Sequence, residues 1–265
     1  MTQRLHAFLL ALALSVGSVT ATASEAKPWE QAASLYEGKD YKQAITRYEQ
    51  LLQQEGPRAG IYYNLASCYY QLGDLGHARL YIERSLQLDP RDEAAQANRQ
   101  LIRAKSIDRL ADGKGWVERT GEQMAYALPL PLLIALSLLL FALAAAAFVR
   151  FFLVRRRSAR RWSFYTGLGS LALSLFTLAL ILHWVHEQHE ARHRAVIIHP
   201  EVSVFASGDT DAEALFSLHE GTLIRIKGEP STALQRIPIT LPDGRHGWIP
   251  NASLEYIVPR RPALP

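Results

Sequence analysis

The stretch that decides the fold is Tyr126-Ala-Leu-Pro-Leu-Pro-Leu-Leu-Ile-Ala-Leu-Ser-Leu-Leu-Leu-Phe-Ala-Leu-Ala-Ala-Ala-Ala-Phe-Val149. It contains no Asp, Glu, Lys or Arg. A loop over 150–161 follows, with Arg150, Arg155, Arg156, Arg157, Arg160 and Arg161 and no acid. A second apolar run starts at Trp162 and continues to residue 185. Each run reaches the roughly 20 residues needed to cross a hydrocarbon core about 30 Å thick. The sequence therefore predicts a two-helix transmembrane hairpin, with spans at 126–149 and 162–185. Pro129 and Pro131 fall in the first turn of the first span, where a missing N–H costs little. Ala142 and Ala146 on one span, and Gly167, Ser170 and Ser174 on the other, are the expected packing faces.

Short arginine-rich loops stay in the cytoplasm. The outer flanks, with Lys114 and Arg119 on one side and Arg192 and Arg194 on the other, compete weakly. Both soluble segments are therefore expected on the opposite, non-cytoplasmic side. Residues 1–23 carry a signal-peptide pattern: Arg4, then an apolar core from Ala7 to Leu14, then the small-x-small site Ala21-Thr22-Ala23. Cleavage after Ala23 is expected, an uncleaved anchor being the alternative. In a bacterium this predicts a two-pass inner-membrane protein with both soluble modules in the periplasm.

Charge distribution excludes a nucleic-acid partner. The formal charge is +4, yet 14 basic and 14 acidic residues lie between Lys27 and Met124, and 8 basic and 10 acidic residues follow Glu187 onward. The excess sits in Arg4 and the loop, as a topology signal and not a phosphate-binding patch. Cys68 is the only cysteine, so no internal disulfide can form. Its expected place is a helix–helix core.

Residues 28–112 repeat with an offset of 34. Ala32 meets Ala66, Tyr36 meets Tyr70, Asp40 meets Asp74, Ala44 meets Ala78, and Tyr48 meets Ile82. Apolar spacing at i, i+3 and i+4 predicts paired helices, and Pro57 and Pro90 stop helices. The second copy, with Tyr62, Leu65, Ala66, Tyr69, Gly73-Asp74, Ala78, Ile82 and Leu88-Asp89-Pro90 in order, resembles the tetratricopeptide family. The first copy departs from it at Gly38-Lys39-Asp40 and at Gly56-Pro57. Ala94, Ala97, Leu101, Ala104, Ile107 and Leu110 form one stripe, predicting a capping helix N-capped by Asp92. The resemblance implies a concave peptide-binding face lined by Tyr36, Tyr63, Asn64 and Tyr70. Helix-on-helix packing is the alternative for these tyrosines, since the phenol suits both roles.

Residues 113–125 are expected as a linker, with Trp116 near the membrane surface, and residues 186–194 as a juxtamembrane linker. The latter includes His189-Glu190-Ala191-Arg192-His193, a match to the zinc-protease pattern H-E-x-x-H. No catalytic domain surrounds it, so solvated histidines are the expected reading. No catalytic residue, metal site or cofactor is expected anywhere.

Residues 195–257 change to a period of two. Runs at Ala195–His199, Val202–Ala206, Leu223–Lys227, Arg236–Leu241 and Gly247–Pro250 predict short strands. Asp243-Gly244 predicts a type I′ hairpin. Leu218-His-Glu-Gly-Thr-Leu, Asp243-Gly-Arg-His-Gly-Trp-Ile and Leu254-Glu-Tyr-Ile resemble the bacterial SH3 family. That resemblance implies a small barrel in which a short helical turn follows the Gly-Trp-Ile strand, and binding of peptide or peptidoglycan. Trp248 is expected either in the core or on the ligand surface. The tail, 258–265, is proline-rich and expected to lack structure.

The expected fold class is thus a multidomain membrane protein: an all-α tetratricopeptide superhelix, a two-helix transmembrane hairpin and a small all-β SH3-like barrel. This order of modules resembles the BatE-type proteins of the Bat (Bacteroides aerotolerance) group. That resemblance implies a non-catalytic envelope scaffold beside membrane proteins with von Willebrand factor A domains and, indirectly, a MoxR-type ATPase. The alternative is a cell-wall tether acting through the SH3-like segment.

Overall fold

The computed structural model describes residues 23–108, 110, 120, 124, 128–209, 211–228 and 236–259, with side chains described from residue 28 onward. Residues 1–22 of the expected signal peptide, nearly all of the 113–125 linker with Trp116, and the tail beyond residue 259 lie outside them.

Five helices form the first unit: α1 (Ala23–Glu37), α2 (Tyr41–Glu55), α3 (Ala59–Leu72), α4 (Leu75–Leu88) and α5 (Glu93–Lys105). Aspartate starts three of them. Asp40, Asp74 and Asp92 accept hydrogen bonds from the backbone N–H of Gln43, His77 and Ala95, satisfying a donor that a helix start leaves free. Buried Ala32, Ala44, Ile45, Tyr48, Leu51, Ile61 and Leu65 knit α1, α2 and α3. Ala66, Ala78, Ile82, Leu86, Ala95 and Ile102 knit α3, α4 and α5. The first turn differs from the second in one respect. Gly73 closes α3 with φ +82°, and its counterpart 34 residues earlier is Lys39, held at φ +63°.

The expected stripe of the capping helix needs correction. Leu101 and Ile107 are 54% and 67% exposed, while Ala95 and Ile102 are buried. Leu101 and Ile102 are neighbours, so alanines too small to define a face left the register tied. Ile102, seven residues from Ala95, wins because both meet α4.

Two long helices follow, α6 (Leu130–Leu153) and α7 (Arg157–Ala191). Both are long and apolar enough to cross a membrane, and of their most apolar 18 residues only 17% and 11% are buried. They pack as an antiparallel pair along Leu133 and Ala144 on one side and Ser163, Gly167, Ser174 and Thr177 on the other. A Cβ on Gly167 would lie 3.4 Å from the Ala147 Cβ and 3.4 Å from Phe148 Cδ2. Ser174 Oγ donates to the Ser137 carbonyl at 3.2 Å. Ala142 and Ala146, expected in this seam, are exposed. In a run of alanines the pattern fixes the helix but not which of them face inward. Helix α7 also continues through 186–191, where a linker was expected.

Among the described residues seven antiparallel strands follow: β1 (Arg194–Ile197), β2 (Glu201–Phe205), β3 (Ala214–His219), β4 (Leu223–Ile226), β5 (Arg236–Thr240), β6 (His246–Pro250) and β7 (Leu254–Tyr256), with a 3-10 turn at Asn251–Ser253. The strand order is β3-β2-β6-β5-β4-β1-β7. The sheet is open, with β3 and β7 as its edges, which corrects the expected barrel. Every strand nonetheless contributes to one buried cluster, including Ile197, Val204, Leu218, Ile224, Ile239, Ile249 and Leu254. Among the described residues Leu110 packs on this cluster from outside the sheet, and burying one cluster with all seven strands requires the sheet to curl. Pro242 explains a second correction. Gly244 N–H donates to the Leu241 carbonyl and Gly244 alone in the turn has a positive φ, +89°. A type I′ turn needs positive φ at both central residues. Proline fixes a negative φ one position earlier, giving a three-residue loop with the glycine left-handed. Strand β3 lacked a clear expectation because Phe216 and Leu218 alternate with serine over too short a run.

The two soluble units pack directly on each other. Leu80 of α4, Val196 of β1, Leu223 of β4 and Ile257 share one apolar cluster. Arg84 donates to the carbonyls of Tyr256 and Ile257 at 2.8 and 3.1 Å and pairs with Glu255 at 3.2 Å. It thereby satisfies backbone acceptors at the end of an edge strand.

Candidate protein-binding face

Helix α3 presents Tyr63, Ser67 and Tyr70 at i, i+4 and i+7, hence on one face. Tyr63 and Tyr70 are half-buried against the Ala66–Ile82–Ile102 cluster. Helix α5 runs alongside. Asn98 Nδ2 reaches Ser67 Oγ at 3.5 Å, and Lys105 Nζ lies 4.0 Å from the centre of the Tyr70 ring. The ammonium gains from the negative face of the ring while staying in water. Leu101, half-exposed, sits one turn from Lys105 on the same stripe as Ala97 and Ala104. The stripe expected to cap the array therefore extends the α3 face.

The four expected residues are divided between the two helical clusters. Tyr63 and Tyr70 lie together with α5, and Asn64 is half-buried beside Tyr63. Tyr36 belongs to the first cluster, where its ring meets Tyr41 edge-on at 5.4 Å. Ser67, Asn98, Leu101 and Lys105 were missed. A second application of the 34-residue offset to the expected residues finds one of them, Asn98 from Asn64.

Behind this face the polar junction is dense. Arg79 and Glu83, both buried, pair at 2.8 Å. Burial pushes the Glu83 carboxyl up, but Arg79, Arg99 and Arg194 together hold it below the usual carboxylate range. Arg99 lies on α5 and Arg194 on β1, so one carboxylate ties three elements. Arg194 also pairs with Glu187 of α7 at 2.8 Å, and Gln87 of α4 donates to Gln188 of α7. Asp108, just past α5, accepts from His219 N–H at 2.6 Å, Thr222 Oγ at 2.7 Å and the His219 ring at 3.1 Å. Burial opposes its charge, yet these hydrogen bonds outweigh it and hold the carboxyl low.

Trp248 of β6 is half-buried, and Gly208 lies over it. A Cβ on Gly208 would come within 3.0 Å of its ring. The H-E-x-x-H residues sit where α7 ends. The His189 and His193 rings are 5.2 Å apart, His193 lies beyond the last helical residue, and Glu190 pairs with Arg225 at 3.1 Å. Among the described residues no three metal-ligating side chains converge. Cys68 is fully buried in the first cluster, and burial pushes its thiol up to about 12.

Comparison with known proteins bears on the helical unit. Residues 35–102 match the tetratricopeptide repeat family. Sperm-associated antigen 1 of Mus musculus is 36% identical over 76 residues, 29% of this chain. The Rattus norvegicus protein of that name is 33% identical over 72 residues, 27% of the chain. Tetratricopeptide repeat protein 16 of Homo sapiens is 30% identical over 74 residues, 28% of the chain. This chain spans 8% of the length of each. No solved structure matches. The unit built by α1 to α5 thus carries tetratricopeptide repeats, a module suited to protein–protein interaction.

Proposed function

We propose that the protein is a non-catalytic, membrane-anchored scaffold whose repeat unit holds an extended peptide segment of a protein partner. The observation that carries this reading is the open face of α3 and α5. Tyr63, Ser67 and Tyr70 continue without interruption into Leu101 and Lys105, while the sheet docks on α4. Two flat aromatics, an apolar anchor and a cation suit a segment with hydrophobic and acidic side chains. Asn64 borders this face, while Tyr36 lies with the first cluster and belongs to the proposed site only through the repeat.

In this reading α6 and α7 cross a bacterial inner membrane, and the arginine turn lies in the cytoplasm. Support comes from their length, their exposed apolar surface and the charge of the turn. The packing of the two units on each other supports placing both outer ends of the hairpin on one side. The periplasm is that side, reached by way of the signal peptide. The curled sheet, which we read as SH3-like, serves as a rigid shoulder for the repeats. The order of modules favours work beside Bat-type membrane proteins with von Willebrand factor A domains and, indirectly, a MoxR-type ATPase. The peptidoglycan-tether reading would rest on Trp248, half-buried beside Gly208.

The test is affinity recovery of partners from solubilised membranes with the full-length chain and with the triple variant Y63A/Y70A/L101E. Loss of both aromatics and of the apolar anchor, with a negative charge added at 101, should lower recovery at least about tenfold, near 1.4 kcal/mol. Full recovery by a folded variant would overturn the assignment of the face.

A further inference from the structure

The turn between α6 and α7, with the first turns of α7, carries Arg155, Arg156, Arg157, Arg160 and Arg161, all exposed. No carboxylate pairs with any of them among the described residues. A topology signal needs charge alone, yet here there is also a shaped site. A cavity of about 370 Å³ opens at the turn, lined by Phe151, Arg157, Arg160, Arg161, Phe164 and Tyr165. Its aromatic wall is continuous. The Phe151 and Phe164 rings are 5.9 Å apart, and the Phe164 and Tyr165 rings 5.7 Å. The Arg160 guanidinium lies 4.4 Å from the centre of Phe151, a contact that orients it without using its hydrogen-bond donors. Beside the cavity Phe152, Leu153 and Trp162 are 74%, 76% and 72% exposed.

The combination is chemically specific. Guanidinium forks match the oxygens of a phosphate monoester or diester. Exposed phenyl, leucyl and indolyl groups at the mouth match hydrocarbon. We propose that this cavity binds the phosphate-bearing headgroup of an anionic phospholipid, with the acyl chains lying along the exposed faces of α6 and α7. Free phosphate satisfies the arginines but leaves the apolar mouth uncovered. Basic pockets between membrane helices on the cytoplasmic side favour such headgroups on electrostatic grounds. The proposal rests on the membrane reading above. A bound lipid fixes the turn against the cytoplasmic leaflet, and through α7 it fixes the junction at Glu187 and Gln188.

The test uses the full-length chain reconstituted by detergent removal, with retained lipid identified by native mass spectrometry. Phosphatidylglycerol should be retained in preference to phosphatidylethanolamine. The variant R157Q/R160Q/R161Q should lose about tenfold in retention. The variant R155Q/R156Q removes two charges outside the cavity and should retain phosphatidylglycerol. If loss follows charge number whatever the position, or if the two lipids are retained equally, the site is overturned. Displacement of the lipid by millimolar inorganic phosphate would identify a free-phosphate site and equally overturn it. Flotation with vesicles separates the two readings. A chain that floats without headgroup preference refutes the cavity assignment alone, whereas one that floats with no vesicle refutes the membrane anchor beneath it.

Discussion

Gly76, in the first turn of α4, lies so close to Ile198 that a Cβ placed on it would come within 2.9 Å of the Ile198 Cα and 3.1 Å of the Ile197 carbonyl. Both obstacles are backbone at the end of β1. Neither can rotate away as a side chain would. The contact has a mirror at Gly221, φ +79°, where a Cβ would meet the Leu75 carbonyl at 3.2 Å. Glu220 accepts from the Gly76 N–H at 3.3 Å between them. Gly76→Val should therefore part the repeat unit from the sheet at a cost of about 1–3 kcal/mol. Hydrogen exchange should rise in β1, β7 and the start of α4 and stay unchanged in α1 and α2. Unchanged protection throughout would show that the contact is not needed for docking.

Lys39 offers a gain in stability. Its φ of +63° is a left-handed conformation that costs a residue with a Cβ about 1–2 kcal/mol, part of which glycine gives back as unfolded-chain entropy. Lys39→Gly should raise stability by roughly 0.5 kcal/mol, and Gly73→Ala should lower it by about 1 kcal/mol. Thermal unfolding of the two variants side by side checks the sign, and a loss on Lys39→Gly contradicts it.

His77 makes stability depend on pH. Its Nδ1 lies 2.8 Å from Asp74 Oδ2, and its ring stacks on Tyr69 with centres 4.9 Å apart. The hydrogen bond to Asp74 raises the imidazole above its ordinary value, against burial, with Glu255 adding to the rise and Arg84 opposing it. Burial pushes the Asp74 carboxyl up, but hydrogen bonds from the His77 side chain and backbone hold it below its ordinary range. A raised imidazole stabilises fully below its unfolded value and loses that contribution as pH rises through its folded value. A lowered carboxyl stabilises above its unfolded value and loses that as pH falls. The pair therefore stabilises most between about pH 4 and about pH 6.5. The Tm loss on His77→Ala should be larger at about pH 5.5 than at about pH 8.5. Equal losses would contradict the pairing.

What could be read from the chain in advance followed from periodicity. The uncharged runs around six arginines specify two long helices, and the 34-residue offset specifies the repeats, because both patterns are imposed by helix geometry at every turn. Registers that depend on one residue were less legible. Leu101 and Ile102 compete for the same face, Ala142 and Ala144 are chemically alike, and Pro242 displaces the Asp243-Gly244 turn by a single position. The docking of the two units left no pattern at all. It depends on Gly76, Arg84 and Asp108 meeting partners more than 100 residues away, and shape complementarity at that separation has no local signature.

The most direct measurement is thiol labelling, in right-side-out membrane vesicles, of variants that each add one cysteine to the native chain. Cys68 is buried and its thiol is held high, so the native cysteine gives a silent background. Glu93→Cys on α5 and Asp211→Cys between β2 and β3 should react with a membrane-impermeant maleimide in intact vesicles. Ser158→Cys in the arginine turn should react only after the vesicles are opened. Labelling of Ser158→Cys in intact vesicles with the other two protected, or labelling of only one of those two, would contradict a hairpin that holds both docked units outside the cytoplasm.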